Sequence, residues 1–199
     1  MTTPLPAPDD RPRCWWLDGS GRPDPAMVAY HDEEWGRPVS DDAALFERLC
    51  LEGFQAGLSW STILHKRPAF VGAFAGFDPR LVQTFNQADR ARLMADAGIV
   101  RNRAKIEATI GNAAAFLKVA GEYGSFAAFL ASRLPRTAPI LPHDSDRFCV
   151  PSTTAESDAL SAELRRRGFR FVGSTIVYAF MQSVGLVDDH LPACFLYRG

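Results

Sequence analysis

The amino-acid sequence predicts an all-α protein, and three observations support this fold class. Behind the capping residues Ser40-Asp41-Asp42, the apolar residues Leu45, Phe46 and Leu49 recur at helical spacing. The stretch from Asn102 to Ala120 carries a continuous apolar stripe, with charged and small polar residues on the opposite face. No segment of the chain shows the alternating pattern of a half-buried β-strand.

Further helices are predicted in order along the chain, each from a cap, a proline or a glycine stop. Pro79 suits the first turn of a short helix that Asp78 begins. Gly98 and Gly168 are expected to end helices, because glycine readily adopts the left-handed conformation that follows a last turn. After the helix at Asp42, the predicted helices cover 59–65, a short stretch from 78, 89–97, 102–120, 157–167 and 172–184.

The chain is predicted to form a single domain from residue 13 to residue 199. The first twelve residues combine prolines with acidic residues, a composition typical of a flexible tail over 1–12. Four prolines between 134 and 152 predict a loop there. A helix-hairpin-helix element is expected over about 89–120, where two predicted helices meet at Gly98.

The composition is that of an ordinary globular protein, with 47% hydrophobic and 23% charged residues among 199. A net charge of −1 argues against a protein that coats nucleic acid indiscriminately. Two local basic clusters, one at Arg101, Arg103 and Lys105 and one within 165–170, leave DNA binding open. The alternative for each cluster is a solvated helix face.

No membrane span is predicted. The most apolar stretch, 171–187, is interrupted by small and polar residues, which suits a buried helix better than a lipid-facing one. The N-terminus lacks the basic and apolar regions of a signal peptide. A cytoplasmic protein without a membrane partner is therefore expected.

Cysteine and histidine residues lie near both ends of the chain. Cys14 and His31 come early, while His190 and Cys194 lie four residues apart near the end. Two thiolates and two imidazoles would complete the tetrahedral shell of a structural zinc ion. The paired cysteine spacing of most zinc sites is absent, so separate buried cysteines and hydrogen-bonded histidines are the alternative.

The predicted hairpin around Gly98 exposes backbone N–H groups and the start of the following helix. Such an arrangement can hold a DNA phosphate without reading sequence. Arg101 and Lys105 follow directly, where an anion would lie. An ordinary corner between two helices is the alternative.

Large aromatic residues are concentrated in the first third of the chain, at Trp15, Trp16, Tyr30, Trp35 and Trp60. Such residues either pack a core or line a binding pocket. Glu52 lies nearby, in an apolar and glycine-rich run where a carboxylate should not be buried unpaired. A buried carboxylate among rings would suit a planar cation, since the rings stack on it and the acid balances its charge.

Six motifs occur in a fixed order along the chain. They are Arg13-Cys14-Trp15-Trp16, Tyr30 to Gly36, Leu51 to Trp60, Ala97 to Arg101, Arg167 to Gly173, and Asp189-His190 with Cys194. Together they resemble the DNA-3-methyladenine glycosylase I (Tag) family of the helix-hairpin-helix glycosylases. The resemblance covers roughly residues 13–197.

The resemblance implies a helix-hairpin-helix glycosylase fold in which one structural zinc ion joins the N- and C-terminal segments. The implied zinc ligands are Cys14, His31, His190 and Cys194. The implied base-binding residues are Glu52, Tyr30, Trp60, Trp16 and Trp35. The expected DNA contacts are Gly98, Ile99, Arg101 and Lys105, with Leu58 as the candidate wedge. Met27 stands where some members carry a tyrosine, so one stacking partner differs.

The implied activity is hydrolysis of the N-glycosidic bond of 3-methyladenine in double-stranded DNA, a step of base excision repair that releases the free base. N3-methylation leaves adenine positively charged, so the base is a good leaving group and needs little acid catalysis. Glu52 is therefore assigned to recognition and electrostatic stabilisation as the candidate catalytic residue. No lysine is placed as a Schiff-base nucleophile, so a monofunctional, monomeric enzyme without strand cleavage is expected.

Two other functions fit parts of the sequence. A zinc-stabilised module that binds damaged DNA without cutting it would use the same hairpin and pocket. A binder or hydrolase of small cationic metabolites would use the aromatic residues and Glu52 alone. Release of the base from methylated DNA would distinguish the enzyme from the damage-binding module. Salt-dependent binding to duplex DNA would distinguish it from the binder or hydrolase of small metabolites.

Overall fold

The computed structural model describes residues 9–17, 24–134 and 150–198 of the chain. These residues form helices and turns and contain no β-strand, which confirms the predicted all-α class. No helix in the described part is both long enough and apolar enough to cross a membrane. The α-helices are α1 Pro25–Glu33, α2 Asp42–Gln55, α3 Trp60–Ala73, α4 Pro79–Val82, α5 Gln87–Ala95, α6 Arg103–Tyr123, α7 Phe126–Arg133, α8 Ala155–Arg166 and α9 Ser174–Ser183.

Side chains that precede the helices satisfy the first backbone N–H groups, as the capping patterns predict. Asp41 accepts a hydrogen bond from the N–H of Ala44 at 2.9 Å at the start of α2. Asn102 accepts one from the N–H of Lys105 at 3.2 Å at the start of α6. Each bond satisfies a donor that has no partner within its own helix, which is why these residue types begin helices.

Helix α2 lies at the centre of the main hydrophobic core. It packs against α3, α6, α7 and α9. Its residues Phe46, Leu49 and Phe54 are each no more than 1% exposed. The ring of Phe46 meets that of Phe116 edge to face, with 5.2 Å between the centroids. The surrounding helices therefore fix α2, whose last turns carry Glu52.

A second and smaller hydrophobic cluster brings the two ends of the described chain together. The backbone N–H of Phe195 donates to the carbonyl of Pro12 at 2.9 Å. The buried members of the cluster are Cys14, Tyr30, Trp35, Leu191 and Cys194. The early and late candidate metal ligands are therefore packed into one region.

The structure contains two helices that the local sequence patterns did not predict, α1 and α7. Helix α1 is capped by Asp24, which accepts from the N–H of Ala26 at 3.0 Å, but its nine residues carry no clear apolar stripe. Helix α7 is capped by Ser125, which accepts from the N–H of Ala128 at 2.9 Å, and Asp42 of α2 also accepts from the N–H of Phe126 at 3.0 Å. Gly124, which ends α6, and Ser125 are therefore a local signal for α7 that the predictions above did not use.

The other differences concern helix ends and chain segments. Helix α3 continues to Ala73 rather than ending at His65, and it contains Pro68. A proline removes one backbone donor, but Phe70 beyond it is completely buried, and this packing supports the last turns. The predicted tail 1–12 and proline-rich loop 134–152 lie mostly outside the described residues.

Lys105 takes a structural position that does not fit the predicted phosphate contact. Its ammonium group donates to the carbonyls of Phe54 at 2.8 Å and Ala56 at 2.6 Å, at the C-terminal end of α2. The residue is 7% exposed, and burial lowers the pKa of its amine. A cation at this end also interacts favourably with the helix dipole. Lys105 therefore fastens α6 to the end of α2 that carries Glu52.

Replacing Lys105 with Met is expected to lower the free energy of unfolding by about 2 kcal/mol, because two carbonyls lose a charged donor. Urea denaturation measures this loss. Arg103→Met, at an exposed position near the start of the same helix, is the control and should change stability by no more than about 0.5 kcal/mol. Equal effects of the two substitutions would contradict the structural role of Lys105.

Candidate active site and metal cluster

A cavity of about 230 Å³ lies where α1, α2, α3 and α9 meet segments from both ends of the described chain. The structure brings all the predicted base-binding residues to this cavity, namely Glu52, Tyr30, Trp60, Trp16 and Trp35. The other lining residues are Trp15, Met27, Gln55, Val150, Ala179, Gln182, Asp189 and Leu191. The cavity is therefore mostly apolar and aromatic, with few polar groups.

Glu52 is the acid of this cavity that the sequence analysis singled out. It lies on α2, is 4% exposed and has no hydrogen-bond partner among the described residues. Burial raises the pKa of its carboxyl from an ordinary 4.5 to about 8, and the positive charge of Arg48 offsets only part of that effect. A buried carboxyl without a donor is costly in an empty site and favourable when a cationic donor arrives.

Aromatic rings form the walls on either side of Glu52. The rings of Tyr30 and Trp60 lie 5.0 Å apart between centroids, and those of Trp16 and Trp35 lie 5.3 Å apart. Burial raises the pKa of the Tyr30 phenol, so this group stays protonated at neutral pH. The indole N–H of Trp60 is buried without a hydrogen-bond partner in the described part of the chain. The walls thus offer ring faces for stacking and a free donor.

An ion-pair network holds the wall behind Tyr30. Arg48 is 6% exposed and contacts the carboxylate of Glu34. Arg67 donates to Glu34 at 2.8 Å and to Glu47 at 2.7 Å. The guanidinium of Arg48 also lies 5.6 Å from the centroid of the Tyr30 ring. The network joins α1, α2 and α3, and it places one positive charge a helical turn from Glu52.

Sequence reasoning missed the polar residues that α9 and the segment after it bring to the cavity. Asp189 is 1% exposed and accepts hydrogen bonds from the hydroxyl of Tyr178 and the side-chain amide of Gln182, both at 2.6 Å. Nothing in the sequence marked Gln182 as a cavity residue, since a glutamine on an apolar helix is common. The sequence did mark Asp189, because it directly precedes a candidate metal ligand, His190.

Three of the four predicted zinc ligands form one cluster. The ligand atoms of Cys14, His31 and Cys194 all lie within 4.8 Å of one another, and all three residues are buried. The Nε2 atom of His31 lies 3.4 Å from the Sγ atom of Cys194. Among the described residues no cysteine in this group is oxidised to a disulfide. The alternative of cysteines and histidines scattered through the core is wrong for these residues.

The fourth predicted ligand, His190, lies beside this group. Its ring centroid is 5.1 Å from that of His31. Its Nε2 atom is buried and has no hydrogen-bond partner in the described ranges. A buried imidazole nitrogen without a partner is unfavourable unless it accepts a hydrogen bond or binds a metal ion. The donor set therefore fits a metal ion bound by two thiolates and two imidazoles.

The two thiols of the cluster share one proton. The hydrogen bond between them lowers the pKa of Cys194 and raises that of Cys14, while His31 lowers the pKa of Cys194 further and burial raises both. The thiolate is the form of cysteine that binds metal ions. Cys50 lies apart from this cluster, in the main core, and burial raises the pKa of its thiol.

The segment between α5 and α6 has the predicted exposed cation and a constrained glycine. Arg101 is exposed and forms no ion pair within the part of the chain that the structure describes. A Cβ atom on Gly98 would lie 2.9 Å from the Asp96 carboxylate and 3.0 Å from the Ala69 side chain. Gly98 is thus required for close packing against α3 rather than for a left-handed turn. The Ile99 side chain is 2% exposed and belongs to the core, so only its backbone could meet DNA.

Leu58 is exposed at the end of the loop between α2 and α3. Its exposed fraction is 42%, which is high for a leucine, and Ser59 directly after it caps α3. The loop follows the helix that carries Glu52. The structure therefore places the predicted wedge on a short, well-anchored loop near the acid.

Known proteins resemble this chain in both sequence and fold. The profile of the methyladenine glycosylase family matches residues 20–197. The chain is 46% identical over 187 residues to DNA-3-methyladenine glycosylase 1 of Escherichia coli strain K12, a match that covers 94% of this chain and 97% of that protein. It is 44% identical over 182 residues to the DNA-3-methyladenine glycosylase of Haemophilus influenzae, with 92% and 96% covered.

Solved structures agree with the sequence matches. A crystal structure of 3-methyladenine DNA glycosylase I (TAG) has a TM-score of 0.87 and 44% identity, and the match covers 94% of this chain and 100% of that one. The enzyme from Staphylococcus aureus gives a TM-score of 0.85 at 37% identity, with 92% and 94% covered. On the family profile, the close relatives and the shared fold, the chain belongs to the methyladenine glycosylase family.

Proposed function

We propose that this protein is a monofunctional DNA glycosylase that hydrolyses the N-glycosidic bond of 3-methyladenine in alkylated DNA, as a step of base excision repair. The observation that carries the proposal is Glu52, a buried carboxyl without a donor in a cavity walled by aromatic rings. Membership of the family supports the same activity, since its close relatives are named for it. One solved relative is a complex with 3-methyladenine.

The flipped base is held between the ring faces and Glu52. A methylated adenine in DNA is planar and cationic, so stacking on Tyr30 and Trp60 is favourable, and the carboxylate accepts its N–H groups while balancing its charge. Trp16 and Trp35 close the opposite side of the cavity. Met27 covers part of the wall, where its flexible thioether can adapt to a ring face.

The chemistry needs little more than extrusion and electrostatic stabilisation. As the bond from the sugar to the base breaks, its electron pair moves to the base and cancels the positive charge, while water adds to the sugar carbon and loses a proton to solvent. Glu52, the candidate catalytic residue, stabilises the cationic base and the developing sugar cation. No lysine lines the cavity in the described chain, so no Schiff base forms and the strand stays intact.

Contacts to DNA come from the α5–α6 segment and the Leu58 loop. We assign α5 and α6 as the helix-hairpin-helix element, in which the backbone around Gly98 and Ile99 and the cation of Arg101 hold a phosphate. Leu58 enters the space that the extruded base leaves in the stack. Lys105 is left out of this surface because its ammonium already bonds to α2.

The metal is assigned as one structural zinc ion, held by Cys14, His31, His190 and Cys194. The close ligand atoms of the first cluster and the unpartnered Nε2 of His190 support this assignment. A shell closed by four protein ligands leaves no position for water or substrate, so the ion supplies folding energy and no catalytic chemistry. The cytoplasmic location and the monomeric state stay predictions.

Glu52→Gln is expected to lower kcat/KM for 3-methyladenine release about 10- to 100-fold, because a charged hydrogen bond is worth about 1.5–3 kcal/mol. The rate at which the base is released from methylated duplex DNA measures this decrease. Glu122→Gln, at an exposed surface ion pair, is the control and should leave release unchanged. Unchanged release by the Glu52 variant would remove this residue from the mechanism.

The pH dependence of the reaction should follow the carboxyl of Glu52. Its pKa lies near 8, so most of it is protonated and uncharged below that pH, and its ionised form increases as the pH rises. Only the ionised form balances a cationic base, so kcat/KM should rise with pH up to about 8 and then level off. The Glu52→Gln variant should show no such rise. A wild-type profile that falls over this range would contradict the role.

Leu58→Ala is expected to reduce base release from duplex DNA by about tenfold or more, because the vacated stack is no longer filled. The exposed Leu81, which lies on α4, provides the matched control, since its exposed fraction is 52% against 42% for Leu58. Neither substitution should change the thermal unfolding temperature. Similar activity of both variants would exclude Leu58 as the wedge.

Zinc should be present at about one ion per chain, and its removal by a chelator should lower the free energy of unfolding by at least about 3 kcal/mol. Metal analysis and urea denaturation, with and without chelator, measure both quantities. Cys194→Ser should lose the ion, whereas Cys50→Ala, at a cysteine outside the cluster, should keep it. A protein that neither contains nor gains stability from zinc would refute the assignment.

A further inference from the structure

The two histidines proposed as zinc ligands, His31 and His190, contact carboxylates in the same way. The Nδ1 atom of His31 lies 2.7 Å from Oδ1 of Asp32, and the Nδ1 atom of His190 lies 2.7 Å from Oδ1 of Asp188. Within the described ranges, the carboxylate contacts of both rings within 4.0 Å are made through Nδ1 and none through the other nitrogen, Nε2. That of His31 faces the Sγ atom of Cys194 at 3.4 Å, and that of His190 has no hydrogen-bond partner among the described residues.

These contacts determine which nitrogen carries the proton. A carboxylate can only accept, so each Nδ1 atom must donate and therefore carries hydrogen. A neutral imidazole then has its lone pair on Nε2, which in His31 faces Cys194 and in His190 is buried without a hydrogen-bond partner among the described residues. Both rings are consequently held in the tautomer that can bind a metal ion through Nε2.

The carboxylates are themselves held in place. Asp32 accepts from Nε of Arg13 at 2.9 Å and from Nη2 at 2.7 Å, and the two side chains are only 13% and 7% exposed. Asp188 also accepts from the backbone N–H of His190 at 3.2 Å, and its side chain is 14% exposed. Neither carboxylate is free to swing away from its imidazole.

We propose that Asp32 and Asp188 are positioning residues of the zinc site, which fix the tautomer and the ring orientation of His31 and His190. Each carboxylate also makes its imidazole a stronger electron donor to the ion. The inference rests on the proposed zinc site and extends it to residues that touch no metal.

Zinc affinity measured by competition with a chromophoric chelator tests the inference. Asp32→Ala and Asp188→Ala are each expected to weaken zinc binding about 10- to 100-fold. The Asn variants should fall between Ala and wild type, because an amide oxygen still accepts from Nδ1–H but has no charge. Asp42→Ala is the matched control, since it removes a half-buried carboxylate that caps α7 and should cost stability without changing zinc affinity.

The tautomer is measured directly in the unaltered protein by long-range proton–nitrogen NMR of its histidine rings. In the zinc-loaded chain, His31 and His190 should each show a protonated Nδ1 and a metal-bound Nε2. Metal-bound Nδ1 in either ring would overturn the inference, as would equal zinc affinity in wild type and all four variants. If the wild-type protein binds no zinc, the zinc assignment fails and the inference fails with it. If wild type binds zinc but the four variants bind it equally well, only the inference fails.

Discussion

The burial of the Glu52 carboxyl without a donor is the constraint on which the arrangement of this protein depends. Water would stabilise its charge better than the apolar cavity does, so the group is held there only because α2 is fixed on all sides by the core. Lys105 fastens the end of that helix, and Arg48 places a charge one turn away. In the proposed mechanism the cost of the buried acid is recovered when a cationic base enters, which would make the site selective for charged bases over neutral ones.

The candidate metal ligands and the cavity that contains Glu52 are built from the same short runs of chain. Tyr30, His31 and Asp32 supply a pocket wall, a candidate ligand and the carboxylate that holds it, and 188–190 supply the same three functions in another order. Trp16 packs against the His31 ring at 5.3 Å, and Trp35 packs against the His190 ring at 4.7 Å. The contacts between the two ends of the described chain therefore support the cavity wall formed by Trp16 and Trp35, on the side away from α2.

The sequence predicted the all-α class and the residues of the pocket, because both depend on signals that are local or carried by motifs. Glu52 was identifiable as an acid in an apolar run, and the aromatic residues by their density. Helix α7 was missed although Ser125 caps it locally, because its eight residues are too few to show a clear apolar stripe. Lys105 was assigned to DNA because a charge in sequence carries no record of the carbonyls that surround it in the fold. Gln182 and Asp189 reach the cavity only through the packing of α9.

Removal of 3-methyladenine, rather than mere binding of the lesion, is the activity on which all of these assignments depend. The most direct test is chromatography of the bases released when the zinc-loaded protein is incubated with methylated duplex DNA, together with electrophoresis of the strands without heat or alkali. We expect free 3-methyladenine and strands that stay intact until the abasic sites are cleaved chemically. Tight binding to methylated DNA without any released base would contradict it and indicate a damage-binding module.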